Sequence, residues 1–178
     1  MTLSDLDLSF EYKDDLHEYA NCPKDIELAI DRLKTNLNEL EDVEEKVKVL
    51  GQVGSYCRSL RRLDEAANLF DEALSLVEKH KLGRKLEISN RIRRAHVHHW
   101  KGEFETSNRL FDAIVDECSK NDEISDYLDF AYQHRGKSYF DQGEYDKALK
   151  DFYQANLIRN KKDDKSLSDS TLFAIEVA

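Results

Sequence analysis

The chain has 178 residues, of which 36% are charged and 40% hydrophobic, with a formal net charge of −10, a single Pro and six Gly. That length suits one well-buried domain, and so few breakers in a chain dominated by Ala, Leu, Glu, Lys and Asp predict an almost wholly helical one. The acidic balance argues against general nucleic-acid binding, which needs a basic face, and no run approaches the roughly 18 consecutive apolar residues of a membrane span.

Residues 1–23 alternate short apolar groups with acids. Leu8, Tyr12, Leu16 and Tyr19 fall at helical spacing and predict a first helix over about 9–20. The segment lacks the positive start and apolar run of a signal peptide, so a cytoplasmic location is expected. Cys22, Cys57 and Cys118 are odd in number and widely separated, which reads as free thiols in a reducing compartment. Pro23 opens a second helix, over 24–40, whose apolar stripe is Ile26, Ile30, Leu33, Leu37 and Leu40.

From Val43 onward the chain repeats itself. Gly54, Ala95 and Gly136 are each 41 residues apart, and neighbouring positions follow at the same interval. These are Leu63, Phe104 and Tyr145; Ala66, Ser107 and Ala148; Phe70, Phe111 and Phe152; and Ala73, Ile114 and Ala155. Small residues let two antiparallel helices approach, with the Phe column expected to fill the wedge beside the next pair. Paired helices are predicted at 43–60 and 63–80, 84–101 and 104–119, and 124–141 and 145–160, with Gly83, Gly102 and Gly143 as punctuation. After Lys161-Lys162-Asp163-Asp164 the chain restarts at Ser166, where Phe173 lies 41 residues after Tyr132.

The clearest unit is Ala131 to Ala155, where Gly136, Tyr139, Gly143-Glu144-Tyr145, Ala148, Phe152 and Ala155 follow one another. This order resembles the tetratricopeptide (TPR) signature, and the long period is similar to the repeats of kinesin light chains and Rap-type peptide-sensing regulators. The resemblance implies an all-α fold, a right-handed superhelical solenoid of antiparallel helix pairs forming a single domain. Its parts would be a degenerate N-terminal helix pair (1–42), repeats over 43–82, 83–123 and 124–164, and a capping or interaction helix over 165–178.

No glycine-rich phosphate loop, GxSxG or HExxH is present, and the acids fall on wet helix faces, so neither an enzyme nor a cofactor is expected. The TPR resemblance implies a protein- or peptide-binding groove lined by the first helix of each pair. Its candidate residues are Lys48, Arg58, Arg93, His96, His99, Trp100, Phe130, Gln133, His134, Lys137 and Phe140. The implied partner is a protein or peptide that is acidic or presents its C-terminus, with aromatics supplying most of the energy and charges the orientation. Chaperone-type carboxylate clamps use Lys and Asn where this chain has Gly51, Ser55, Ile92 and His96, which argues against that role. His96, His99 and His134 lack a nearby Cys or fixed outer partners and read as a polar patch rather than a metal site.

Arg94 and Arg135 share one column. Either their stems cover the core while the heads reach acids such as Asp129 or Glu105, or they fork onto a ligand carboxylate. The last stretch, with Leu172, Phe173, Ile175 and Val177, either caps its own chain or occupies the groove of another copy, giving a homo-oligomer. A peptide-sensing regulator whose helices shift on binding is the further alternative.

Overall fold

The computed structural model describes residues 3–178. They form two compact units, one ending at Val97 and the other beginning at His98.

After a short 3-10 turn at Leu3–Asp5, the first unit has a hairpin, β1 (Phe10–Tyr12) antiparallel to β2 (Glu18–Ala20), where the sequence predicted a helix over 9–20. Asp7 and Asp15 each accept from the backbone N–H two residues on, that of Ser9 and of His17, and these local bonds bend the chain instead of letting it coil. Leu16 adopts φ 58° and is buried, while Tyr12 is exposed, so the helical spacing of apolar residues was coincidental. The expected N-terminal helix pair is therefore a hairpin followed by one helix.

That helix, α1 (Pro23–Leu37), has Pro at its start, where no N–H is required, and buries Ile26, Ile30, Leu33 and Leu37. It packs against α2 (Val43–Ser59), whose Asp42 cap accepts from the Glu45 N–H at 2.9 Å. Next come α3 (Leu63–His80), which packs against α2, and α4 (Arg84–Trp100), whose last three residues belong to the second unit.

The second unit continues with α5 (Phe104–Lys120), a short 3-10 turn at Ser125–Tyr127, α6 (Leu128–Asp141), α7 (Tyr145–Lys161) and α8 (Lys165–Val177). Consecutive helices pack on one another, α5 with α6, α6 with α7 and α7 with α8.

The same local chemistry recurs in both units. Arg61, Gly102 and Gly143, spaced by 41 residues, all have positive φ, of 63°, 74° and 73°. After each, the next N–H reaches back to a helix carbonyl: Arg62 to Cys57, Glu103 to His98 and Glu144 to Tyr139, at 2.9–3.0 Å. This is the Schellman ending, which reverses the chain in a few residues and lays the following helix back along the first. Inside the pairs, Phe70 lies over Gly54 and Phe152 over Gly136. A Cβ on either glycine would sit 2.6 Å from the ring. Phe70 and Phe152 thus fill their own pairs, while Phe111 stacks on His134 of the pair that follows.

Candidate protein-binding faces

In the first unit the predicted groove residues have very different environments. Lys48 is exposed on α2, where its ion pair with Glu44 at 3.0 Å holds its pKa above the ordinary value. One turn on, Gly51 lies under the Arg93 guanidinium of α4; a Cβ there would be 2.7 Å from Nη1. Arg93 itself is half-buried, with Nη1 3.5 Å from Asn90 Oδ1. Arg58 points inward and donates to Glu18 of β2 at 2.6 Å, both side chains being largely enclosed. His96 is also buried.

In the second unit, His99 is buried with Nε2 2.7 Å from an Asp141 oxygen, its ring tilted against Phe104. Trp100 is half-buried. On α6, Gln133 and Lys137 are buried, and the Gln133 Oε1 faces the Arg159 guanidinium at 3.4 Å. Phe130 is half-buried beneath two cations, 5.4 Å from Arg159 and 6.0 Å from Lys162. His134 stacks on Phe111, and Phe140 meets the edge of Tyr145; both keep partial exposure. Lys48, Arg93, Trp100, Phe130, His134 and Phe140 therefore retain contact with solvent, whereas Arg58, His96, His99, Gln133 and Lys137 are enclosed. Enclosed residues of this kind shape a face rather than form its contact layer.

The arginine column resolves in favour of intrachain pairing, with other acids than those expected. Arg94 donates to Asp71 at 2.8 Å, and Arg135 to Asp112 at 2.8 Å. Each pair joins a first helix to the second helix of the preceding pair, with the same 23-residue separation. Arg135 also forks onto the enclosed Asp151 through Nε and Nη2, at 2.7 and 2.8 Å, and lies over the Tyr132 and Tyr139 rings. Burial raises the Asp151 pKa despite that guanidinium, and Asp151 in turn holds the Arg135 pKa up against its own desolvation.

One cluster escaped the sequence reading. Arg159 of α7 is 2% exposed, and its Nε donates to Asp129 at 2.8 Å, where Lys162 also reaches at 2.6 Å. Its Nη1 donates to Thr171 Oγ1 at 2.6 Å and to the Leu167 carbonyl at 3.0 Å, tying α8 to α6 and α7. The signal was available in the repeat columns. Asp129 occupies the place of the buried Val47 and Ile88, and Arg159 that of the buried Val77 and Cys118. An apolar pair twice over has become an ion pair.

The tail is an ordered helix on its own chain. Asp164 caps α8 by accepting from the Leu167 N–H at 3.0 Å, and Ser168, Thr171 and Ala174 are its buried residues. Leu172 is exposed, and Phe173, Ile175 and Val177 are half-buried.

Helices joined by recurrent Schellman turns, with a glycine facing a phenylalanine inside the α2–α3 and α6–α7 pairs, define an all-α helical-repeat protein of the tetratricopeptide type. Residues 131–162 match the tetratricopeptide repeat family, a stretch that covers most of α6, the turn after it and α7. Among solved structures, the crystal structure of BtubC (BKLC) from P. vanneervenii is similar, with a TM-score of 0.65 at 17% identity. The match covers 86% of this chain but only 65% of the length of that one. No curated protein matches.

Proposed function

We propose that this chain is a non-catalytic protein-binding module in which the first helices of each unit, taken separately, present a recognition face to an acidic peptide segment. Support comes from the tetratricopeptide match at 131–162, since repeats of that family generally mediate protein–protein interactions. The same stretch carries half-exposed His134 and Phe140, with Phe130 just before it. In the first unit Lys48, which also pairs with Glu44, and the half-buried Arg93 supply the positive charge that suits a carboxylate-bearing partner. The aromatic side chains contribute the apolar contact.

Calorimetric titration tests this with an acidic peptide that has one aromatic residue and a free C-terminus. Controls are its C-terminal amide and a version with Lys in place of each acid. Binding of the acidic form, salt-sensitive and weakened about tenfold (~1.4 kcal/mol) by Lys48→Glu with Arg93→Glu, is the expected outcome. Equal heats from the acidic and the lysine peptides would refute it.

A further inference from the structure

Two glycines interrupt α2, and a glycine inside a helix weakens it, because its backbone has the most freedom to lose. Gly54 has a packing reason, the Phe70 ring, and that reason recurs at Gly136 with Phe152. Gly51 has a different one, because what lies against it is polar. A Cβ there would stand 2.7 Å from Arg93 Nη1 and 2.9 Å from Asn90 Oδ1, both on α4. In the first helices that follow, the same column holds Ile92 and Gln133, each with a buried side chain of ordinary size. In α2 the column has no side chain, and a guanidinium from α4 takes the space.

The two polar groups over Gly51 differ in freedom. Asn90 is 1% exposed, and its Nδ2 donates to the Leu86 carbonyl one turn back at 2.9 Å. Its oxygen is thereby fixed where it faces Arg93 Nη1, 3.5 Å away. Arg93 is half-buried, and its guanidinium is the end of a long, flexible side chain. Free of any seat, such a group spreads over many rotamers. Lying on Gly51 beside Asn90, it keeps one direction, from α4 towards α2. A guanidinium already held in place gives up less entropy when it forks onto a carboxylate than a mobile one does. Lys48, three residues before Gly51 and so on the same face of α2, adds a second positive charge.

Resting on the acidic-peptide reading of this face, we infer that Gly51 is a positioning residue for recognition in the first unit. By withholding a side chain it holds the Arg93 guanidinium against α2 as a directional donor to one carboxylate of the bound peptide. The selectivity this builds is for a planar carboxylate met by a fork, beyond what a cation of free orientation would supply.

The test is a double-mutant cycle on the full chain, with Gly51→Ala, Arg93→Gln and the two together, titrated calorimetrically with the acidic peptide described above and its lysine version. Circular dichroism and urea unfolding check each fold. Alanine is the better helix former and the group it displaces is a flexible end, so Gly51→Ala keeps native helicity and a parent-like midpoint. It nonetheless weakens the acidic peptide roughly tenfold in the parent, and by less than about twofold in the Arg93→Gln background, because the effect passes through that guanidinium. Arg93→Lys, which keeps the charge and Gly51 but removes the fork, loses as much as Gly51→Ala. Equal affinity of the parent and Gly51→Ala overturns the positioning role while leaving the acidic-peptide reading intact. So does an equal loss in both backgrounds, which is what a merely structural glycine would give. A parent-like Arg93→Lys overturns it as well, even if Gly51→Ala fails to fold. If the parent itself does not distinguish the acidic from the lysine peptide, the acidic-peptide reading fails, and the carboxylate assigned to Arg93 fails with it.

Discussion

Replacing Asp129 by Ala is expected to be one of the most damaging single changes in the second unit. Its carboxylate is fully enclosed and neutralises both Arg159, itself 2% exposed, and Lys162. Removing one member of a buried pair leaves the other charged and desolvated, a loss of about 3–5 kcal/mol. Set against a stability of roughly 5–15 kcal/mol for a domain of ordinary size, that is a large fraction. The informative comparison is the double variant Asp129→Val with Arg159→Val, which restores the residues found at the equivalent positions of the first pair, Val47 and Val77. Both charges then vanish together. Thr171 keeps its bond to the Leu167 carbonyl at 3.0 Å, and Lys162, partly exposed, turns to water. The cost should fall to within about 1–2 kcal/mol of the parent, because apolar replacement of a whole buried pair is often nearly neutral. Urea unfolding followed by fluorescence of the single Trp, Trp100 in the second unit, reads both. If the double variant is as unstable as Asp129→Ala alone, the pair is net stabilising, and the argument from uncompensated charge fails.

Gly136→Ala drives a methyl to 2.6 Å from the Phe152 ring and should cost about 1–3 kcal/mol; Gly136→Ala with Phe152→Leu should recover part of it, and an unchanged midpoint for the single variant would contradict the packing. Lys81→Gly relieves a left-handed residue (φ 51°) at the exposed end of α3 and should stabilise by up to about 1 kcal/mol in the same assay. Arg135→Ala should cost about 3 kcal/mol because Asp151 is enclosed, whereas Arg94→Ala should cost no more than about 1, its partner Asp71 being exposed. Because the folded Asp151 pKa is raised above its ordinary value of 3.8, its protonated form favours the folded state: that stability is full below 3.8 and lost as pH rises through the folded value. The Arg135→Ala deficit should therefore shrink as the pH is lowered towards 4, and a deficit that grows would contradict this. Burial, with Glu65 nearby, pushes the Cys57 thiol up to about 11. It should resist alkylation in the native state at pH 8 and react only with unfolding, and the stability its neutral form brings should be lost as pH rises through about 11, a loss absent in Cys57→Ala.

The helices were legible because their signals are local. Pro23, Asp42 and Asp164 start helices by capping or by fixing φ, and Gly102 and Gly143 end them with a backbone conformation that glycine adopts without strain. The hairpin at 10–20 was misread because four apolar residues fell at helical spacing while the Asx turns at Asp7 and Asp15, only two residues long, dictated the path. The candidate face was legible in part. Column alignment assigned residues to the first helices, but a column does not say how deep a side chain sits. Arg58 and His99 lie inside because Glu18 and Asp141 reach them from segments 40 and 42 residues away.

By itself the sequence determined the periodic alternation of small and aromatic residues and the turns between helices, since both act within about six residues or through one fixed spacing. Only the tertiary structure decided which charges are consumed internally: Arg94 with Asp71, Arg135 with Asp112 and Asp151, Arg159 with Asp129. A guanidinium on a helix face is equally compatible with water, a ligand or a neighbouring acid. The choice among them is made by distance and desolvation, which exist only once the helices have packed.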